Sequence, residues 1–248
     1  MRSSRSGRAD EERRPGWLTA SPYAHRGLQG PGRLENSRAA FQAAIAAGQG
    51  IECDVQLTRD GEAVVFHDDD LGRLTSERGA VADRGAAELQ RVKLGAQDET
   101  IPSLAEVLQL VAGRVPLLIE IKAPRGSAPR LCAAVHRALN SYGGPAAVMS
   151  FNPQVGGWFE RHIPDMVRGL VVTEQGKGGA RGSVERGLAL WRARPHFLAY
   201  DIRDLPSRFA SAQRARGLPV LTWTVRSPSD EQVAAAHADQ IIHELPRP

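Results

Sequence analysis

Cysteine is nearly missing: Cys53 and Cys132 are the two in 248 residues. Both fall inside stretches that read as regular elements, so no disulfide framework holds this chain. A reducing, cytoplasmic compartment is the expectation. Aromatic residues are also scarce, at 5%. No basic stripe interleaves with them, which argues against a nucleic-acid partner. The formal charge of +4 is no counter-argument. About half of it comes from the first residues, where Arg2, Arg5, Arg8, Arg13 and Arg14 outnumber Asp10, Glu11 and Glu12, and the body is near neutral. No apolar run approaches transmembrane length. Residues 1–16 lack the apolar centre of a secretory signal. Their Ser, Gly and Arg content predicts a disordered basic tail ahead of one domain over 17–248.

What is present is a regular alternation. Hydrophobic residues make up 42% of the chain, enough for a sizeable core. Pro22-Tyr23-Ala24 reads as a short strand, and a helix follows with Phe41, Ala44 and Ile45 at helical spacing, capped by Asn36 or Ser37. A strand over 51–57 completes a βαβ unit. Thr58-Arg59-Asp60-Gly61 is a hairpin-like turn into Ala63-Val64-Val65-Phe66. Residues 68–102 then read as a charged, Gly-containing excursion with one short helix over 86–92. A detour of that length inside a compact domain suggests a lid or substrate wall. From Ile101 onward helices and strands alternate to Ile242. The helices are expected over 104–111, 129–142, 155–162, 183–192, 205–217 and 229–236, the strands over 116–122, 146–151, 169–173, 197–200, 219–225 and 240–242. The class is α/β with a parallel sheet, and the length suits one (β/α)8 barrel. Nine strand candidates compete for eight places. Either 64–66 is a hairpin partner outside the barrel, or one late strand is not a strand.

The strand Ile51-Glu52-Cys53-Asp54-Val55-Gln56-Leu57 organises the rest. Its alternation puts Ile51, Cys53, Val55 and Leu57 on one face and Glu52, Asp54 and Gln56 on the other. Glu52 and Asp54 leave the same side about 7 Å apart along the strand, an arrangement of oxygen donors that suits a hard divalent cation. Leu117-Leu118-Ile119-Glu120-Ile121-Lys122 repeats the pattern, with Glu120 and Lys122 on one face. Ala24-His25-Arg26-Gly27 and Phe66-His67-Asp68 bring a histidine to each of two further strand ends. Three acids, two histidines, one Arg and one Lys at strand ends make up a site for hydrolysing a phosphate ester. Glu52, Asp54 and Glu120 are the expected ligands of Mg²⁺ or Ca²⁺, which hard oxygen donors favour over zinc. The planar fork of Arg26 can hold two phosphate oxygens. Lys122 adds a point charge, or a salt bridge to a ligand carboxylate. His25 and His67 can exchange protons with a nucleophile and a leaving alkoxide. Phe151 and Trp223, at later strand ends, stack on substrate or pack the barrel mouth.

These residues resemble the glycerophosphodiester phosphodiesterase family. The likeness runs through Ala24-His25-Arg26-Gly27, Glu35-Asn36-Ser37, the 51–57 strand, Asp60-Gly61, Phe66-His67-Asp68, Ile101-Pro102-Ser103-Leu104, Ile119-Glu120-Ile121-Lys122, Ser150-Phe151 and Trp223-Thr224-Val225. It covers residues 22–246. It implies a TIM barrel with a small insertion at 68–102 and divalent-metal-dependent hydrolysis of small glycerophosphodiesters to an alcohol and sn-glycerol 3-phosphate. It also implies attack by the glycerol 2-hydroxyl through a cyclic phosphate, with His25 as base and His67 as acid, an assignment the residues alone leave open. Two positions depart from the family pattern. Leu34 stands where Pro is usual, and His243-Glu244 replaces a Thr-Asp pair, so whatever that pair contacts is altered here. A relative acting on lysophospholipids, or an inactive barrel binding a phosphorylated ligand, are the alternatives. The full set of site residues favours the enzyme, and the charged insertion offers no apolar groove for a lipid chain.

Overall fold

A computed structural model describes residues 15–96, 98–124 and 126–244. Of the basic tail expected over 1–16, residues 1–14 lie outside the described residues, and Gly16 already belongs to a 3-10 turn, Gly16–Leu18. Nine strands form one sheet: β1 Tyr23–Ala24, β2 Gly50–Leu57, β3 Ala63–Val65, β4 Leu117–Ile121, β5 Ala146–Ser150, β6 Val167–Val172, β7 Phe197–Asp201, β8 Val220–Val225 and β9 Gln240–His243. Eight of them are parallel and in ring order, and β1 pairs with both β2 and β9, which closes a barrel. The ninth, β3, pairs antiparallel with β2, Gln56 opposite Val64. The 63–66 run is therefore the hairpin partner, and the surplus strand is accounted for. The turn that makes it uses Gly61 at φ 86°, a conformation open to glycine at little cost.

The helices are α1 Arg38–Ala46, α2 Ala86–Leu89, α3 Leu104–Val111, α4 Ala128–Leu139, α5 Pro153–His162, α6 Gly179–Ala193, α7 Arg208–Ala215 and α8 Pro228–His237. This is the TIM-barrel architecture expected from the alternation. Ser37, not Asn36, caps α1, accepting from Ala40 N at 3.1 Å. Ser103 caps α3, and its Oγ accepts from Glu106 N at 3.2 Å. The expected 205–217 helix is shorter at its start, because Ile202–Asp204 form a 3-10 turn and Ser207 caps α7.

Outward faces of the strands pack against the helices. Ile51, Cys53, Val55, Ile119, Leu131, Cys132 and Phe159 belong to one such buried cluster. Both cysteines are free and buried. The barrel interior is filled by Tyr23, Leu118, Met149, Val171, Phe197, Leu221 and Ile242. Gly169 makes room there, since a Cβ at that position would lie 2.4 Å from the Phe197 ring. So the polar side of β2 does not meet water: Glu52 and Asp54 are buried and point inward.

The 68–102 excursion is less irregular than its composition suggests. Leu71, Val81, Leu89, Val92, Leu94 and Ile101 bury themselves against Val64 and Phe66 of the hairpin. Leu34 packs on the same cluster, so the residue standing in for the family's Pro anchors the insertion.

Candidate active site

The C-terminal ends of the strands deliver the expected residues to one cleft of about 440 Å³. His25, Arg26, Glu52, His67, Glu120 and Lys122 line it, with Phe151 and Trp223 on its rim. Asp54 lies at its floor, bonded to Arg26 and Lys122. All nine sequence-predicted residues thus converge.

The floor is acidic. Glu52, Asp54 and Glu120 each offer one carboxylate oxygen, all within 4.8 Å of one another. Parallel pairing sets this up: Asp54 sits opposite Glu120 across β2 and β4, a strand spacing of about 4.8 Å. Lys122 Nζ lies 2.6 Å from Glu120 Oε1 and 3.0 Å from Asp54 Oδ1. Arg26 Nε lies 3.0 Å from Asp54 Oδ2, and Asn36 Nδ2 donates to the same oxygen at 3.0 Å. Burial pushes the Asp54 carboxyl up, but Lys122 and Arg26 outweigh it and hold the group down at about 2. Glu52 goes the other way. Burial, then the charges of Asp54 and Glu120, raise it well above the usual carboxylate range. Its Oε2 accepts from the Arg26 amide at 3.1 Å, while the buried Oε1 has no hydrogen-bond partner among the described residues. A buried carboxylate oxygen without a donor is costly. A hard cation at this point would remove that cost, so the donor set fits a divalent metal.

Backbone geometry aims these groups. Arg26 and Gly27 both adopt positive φ, 57° and 84°. A Cβ on Gly27 would lie 2.8 Å from Ala40, so only glycine lets the chain turn here and point the Arg26 amide at Glu52. Arg26 is not a free fork: Nη1 donates to Glu35 at 2.7 Å and Nε faces Asp54.

Each histidine has its own carboxylate. His25 Nδ1 is 2.5 Å from Glu244 Oε1, and His67 Nδ1 is 2.5 Å from Asp68 Oδ1. A carboxylate accepts, so each Nδ1 carries the proton and each Nε2 is left to act. His25 Nε2 faces the acidic cluster, 3.9 Å from Glu52 Oε2. Both carboxylates are anchored from behind. Arg226 Nε donates to Glu244 Oε2 at 2.7 Å. Burial raises the Glu244 carboxyl, and the bonds from His25 and Arg226 outweigh it, to about 2. Arg73 bonds Asp68 and also both oxygens of Glu35, at 2.6 and 3.0 Å. Hydrogen bonding from Arg73, helped by His67, lowers Asp68.

Sequence reasoning did not assign Glu244, Asp68, Arg73, Glu35 or Asn36 to the site. Glu244 carried a signal, since it follows β9 as His25 follows β1, and β1 and β9 are neighbours. Only barrel closure makes that adjacency visible. His243 faces away, and its Nε2 donates to Gln49 Oε1 at 3.1 Å. On the rim, Phe151 and Trp223 meet edge-to-face with centroids 5.5 Å apart. Trp223 Nε1 donates to Ala199 O at 2.9 Å. Trp223 lies where the β8–β9 register shifts, between Thr222 and Val225.

The profile of the Glycerophosphoryl diester phosphodiesterase family matches residues 25–244. A glycerophosphodiester phosphodiesterase of Caldanaerobacter subterraneus subsp. tengcongensis is 30% identical over 238 residues, covering 90% of this chain and 93% of that protein. One from Bacillus altitudinis is 43% identical over 109 residues, covering 40% of this chain and 43% of its relative. The chain is thus aligned with less than half of the length of that relative. Among solved structures, an Oleispira antarctica phosphodiesterase in complex with the product sn-glycerol-3-phosphate superposes with a TM-score of 0.81 at 26% identity. The match covers 92% of this chain and 94% of that one. A glycerophosphodiester phosphodiesterase from Thermotoga maritima gives a TM-score of 0.72 at 26% identity, covering 90% and 93%.

Proposed function

The chain belongs to the Glycerophosphoryl diester phosphodiesterase family, and on that premise we propose that it hydrolyses small glycerophosphodiesters to an alcohol and sn-glycerol 3-phosphate. The observation that carries this reading is the pairing of two carboxylate-anchored histidines with a buried triad of acids in one cleft. Glu52, Asp54 and Glu120 would hold a divalent cation, Mg²⁺ or Ca²⁺. Bound there, it supplies positive charge that offsets the charge of the diester and polarises its phosphorus–oxygen bonds.

The chain's own groups do the rest. Lys122 already contacts two of the acids, so it balances the floor and presents a positive charge to the phosphate. Arg26 spends two nitrogens on Glu35 and Asp54, and its guanidinium contributes charge to the cleft wall rather than a free bidentate fork. One Nε2, assigned to His25, takes the proton from the glycerol 2-hydroxyl as that oxygen bonds to phosphorus. His67 enters this step with a second proton, on Nε2, and gives it to the departing alkoxide as the phosphorus–oxygen bond to the alcohol breaks, leaving a cyclic phosphate. Water then opens the ring with the two histidines in exchanged roles, and sn-glycerol 3-phosphate forms. Phe151 and Trp223 form an apolar edge for the glycerol or alcohol carbons. Two buried free thiols support a reducing, cytoplasmic setting.

Release of sn-glycerol 3-phosphate from glycerophosphocholine and glycerophosphoethanolamine, and of choline from lysophosphatidylcholine, should be followed with each metal in turn. Turnover of the first two supports the reading. Head-group release from the third alone assigns a lysophospholipase D instead. Binding of sn-glycerol 3-phosphate with no turnover of any substrate leaves an inactive barrel.

A further inference from the structure

Four large apolar side chains stand exposed among the described residues: Phe151, Val184, Leu188 and Trp191. Three of them are on α6, spaced i, i+4 and i+7, and so share one face. They are 61%, 60% and 70% exposed. A barrel helix usually turns its large apolar residues to the strands, whereas α6 turns only Ala189 and Leu190 that way, both partly buried. The neighbouring α5 buries Val155 and Phe159 against the strands. In α6 the fully buried residues are Gly182 and Ala193, and Arg186 reaches inward to Glu174 at 3.2 Å and over the Phe209 ring.

The same stretch is basic. Residues 177–194 carry Lys177, Arg181, Arg186, Arg192 and Arg194 with Glu185 as the one acid in the stretch. Arg181 pairs with Glu185 at 3.3 Å, Arg186 with Glu174 at 3.2 Å and Arg194 with Glu160 at 2.8 Å, so Lys177 and Arg192 carry most of the available positive charge. Arg181 and Arg192 flank the apolar stripe, three residues before Val184 and four after Leu188, as surface neighbours on a helix. Arg192, beside the stripe, reaches toward the cleft while the stripe itself stays clear of it. Arg192 lines a groove of about 730 Å³ together with Phe151, Glu120 and Lys122, and a smaller one of about 230 Å³ with Trp191.

A second copy of this chain is a poor occupant. It would bring two net-positive helices together, and three side chains fall far short of the roughly 800 Å² per partner of a stable interface. A negatively charged surface with an apolar interior fits both features. We propose that the outward face of α6 docks on an anionic lipid bilayer. Val184, Leu188 and Trp191 enter the headgroup boundary, Lys177 and Arg192 meet lipid phosphates, and the exposed Arg181 adds to them by exchanging its surface pair with Glu185. The indole of Trp191 has the amphipathic character that favours this depth. The proposal is independent of the reaction assigned to the cleft.

The test is cosedimentation of the full chain with vesicles of phosphatidylcholine alone and of phosphatidylcholine and phosphatidylglycerol in equal parts. Binding is expected to the second only, and to weaken as salt is raised. The double variants L188E/W191E and K177E/R181E alter exposed residues away from the cleft. Both should keep the wild-type melting temperature and its turnover of a water-soluble diester, while vesicle partition falls by about tenfold or more. Three results overturn the proposal. One is no binding of the wild-type chain to the anionic vesicles. Another is equal partition of L188E/W191E, which would assign binding to charge elsewhere, the Arg-rich first residues included. The third is a dimer in gel filtration that W191E converts to monomer, which would give the face to a second copy.

Discussion

At the residue scale, His25–Glu244 and His67–Asp68 are two dyads with the same geometry, so distance alone does not tell base from acid. Chemistry can. His67→Ala should lose about 10²–10⁴-fold in turnover of a glycerophosphodiester. The loss should shrink with a p-nitrophenyl leaving group, which departs without a proton. His25→Ala should be impaired on both substrates, because the attacking hydroxyl still has a proton to lose. The reverse pattern exchanges the roles, and undiminished rates in both variants make the histidines structural. Glu244→Gln keeps the size of the side chain but removes the charge that orients His25. It should lower kcat roughly ten- to a hundredfold with little change in KM, because Nδ1 loses its anionic acceptor and the imidazolium its counter-charge. An unaltered kcat and pH profile would remove Glu244 from the mechanism. Glu52 makes a different prediction. Its Oε1 is buried and unpartnered, and burial with two neighbouring acids disfavours its charge. Metal-free Glu52→Gln should therefore unfold at the same temperature as the wild type or higher, while losing activity. A large drop in its metal-free melting temperature would falsify the view that this carboxylate is held for the cation.

At the element scale, the insertion is fastened where it matters. Arg73, in its first 3-10 turn, bridges Asp68 and Glu35 and so touches the partners of both His67 and Arg26. Farther from the cleft, Glu106 ties three elements together. It accepts from Ser103 N at 2.8 Å, from Gln90 Nε2 at 2.9 Å and from Arg38 Nη2 at 2.9 Å. Burial raises its carboxyl, and these bonds outweigh burial and lower it from 4.5 to about 2. A folded value below the unfolded one stabilises the native state above the unfolded value and loses that stabilisation as pH falls toward the folded value. The window is thus from 4.5 down to about 2. Urea midpoints of wild type should fall more steeply between about pH 5 and about pH 3 than those of Glu106→Gln. Because the side chain is partly exposed, solvent screens the difference to about 1 kcal/mol or less. Parallel slopes for the two proteins would show that the junction does not depend on the charge.

At the scale of the whole molecule, a ligand bound only by the folded barrel raises its stability by mass action. At one hundred times its dissociation constant, Mg²⁺ or Ca²⁺ should add about 2.7 kcal/mol. For a chain of this length that corresponds to roughly 5–10 °C in Tm. A strong chelator should abolish both this gain and turnover, and Glu52→Gln should show no gain at all. Full turnover in excess chelator would rule out a metal held by the three carboxylates.

By itself, the sequence determined the barrel class and picked out residues that gather in one cleft, because both are written in local order. Alternating strand and helix periods fix the α/β class, and carboxylates on otherwise apolar strands, as at Glu52, Asp54 and Glu120, mark a polar cluster wherever they fold. Neighbouring short motifs carried His25, Arg26 and His67. Tertiary structure alone decided the rest, for reasons of closure and register. The pairing of β1 with β9 brings Glu244 to His25 across 219 positions, which no local pattern encodes. Antiparallel pairing with β2 places β3 outside the ring, because the short connection over 58–62 cannot return a strand in parallel. The insertion reads as charged and loose, yet its scattered apolar residues close on Val64 and Phe66 once the hairpin exists. The outward stripe of α6 has ordinary helical spacing. Only the barrel tells which side of that helix faces the strands and which is left to the solvent.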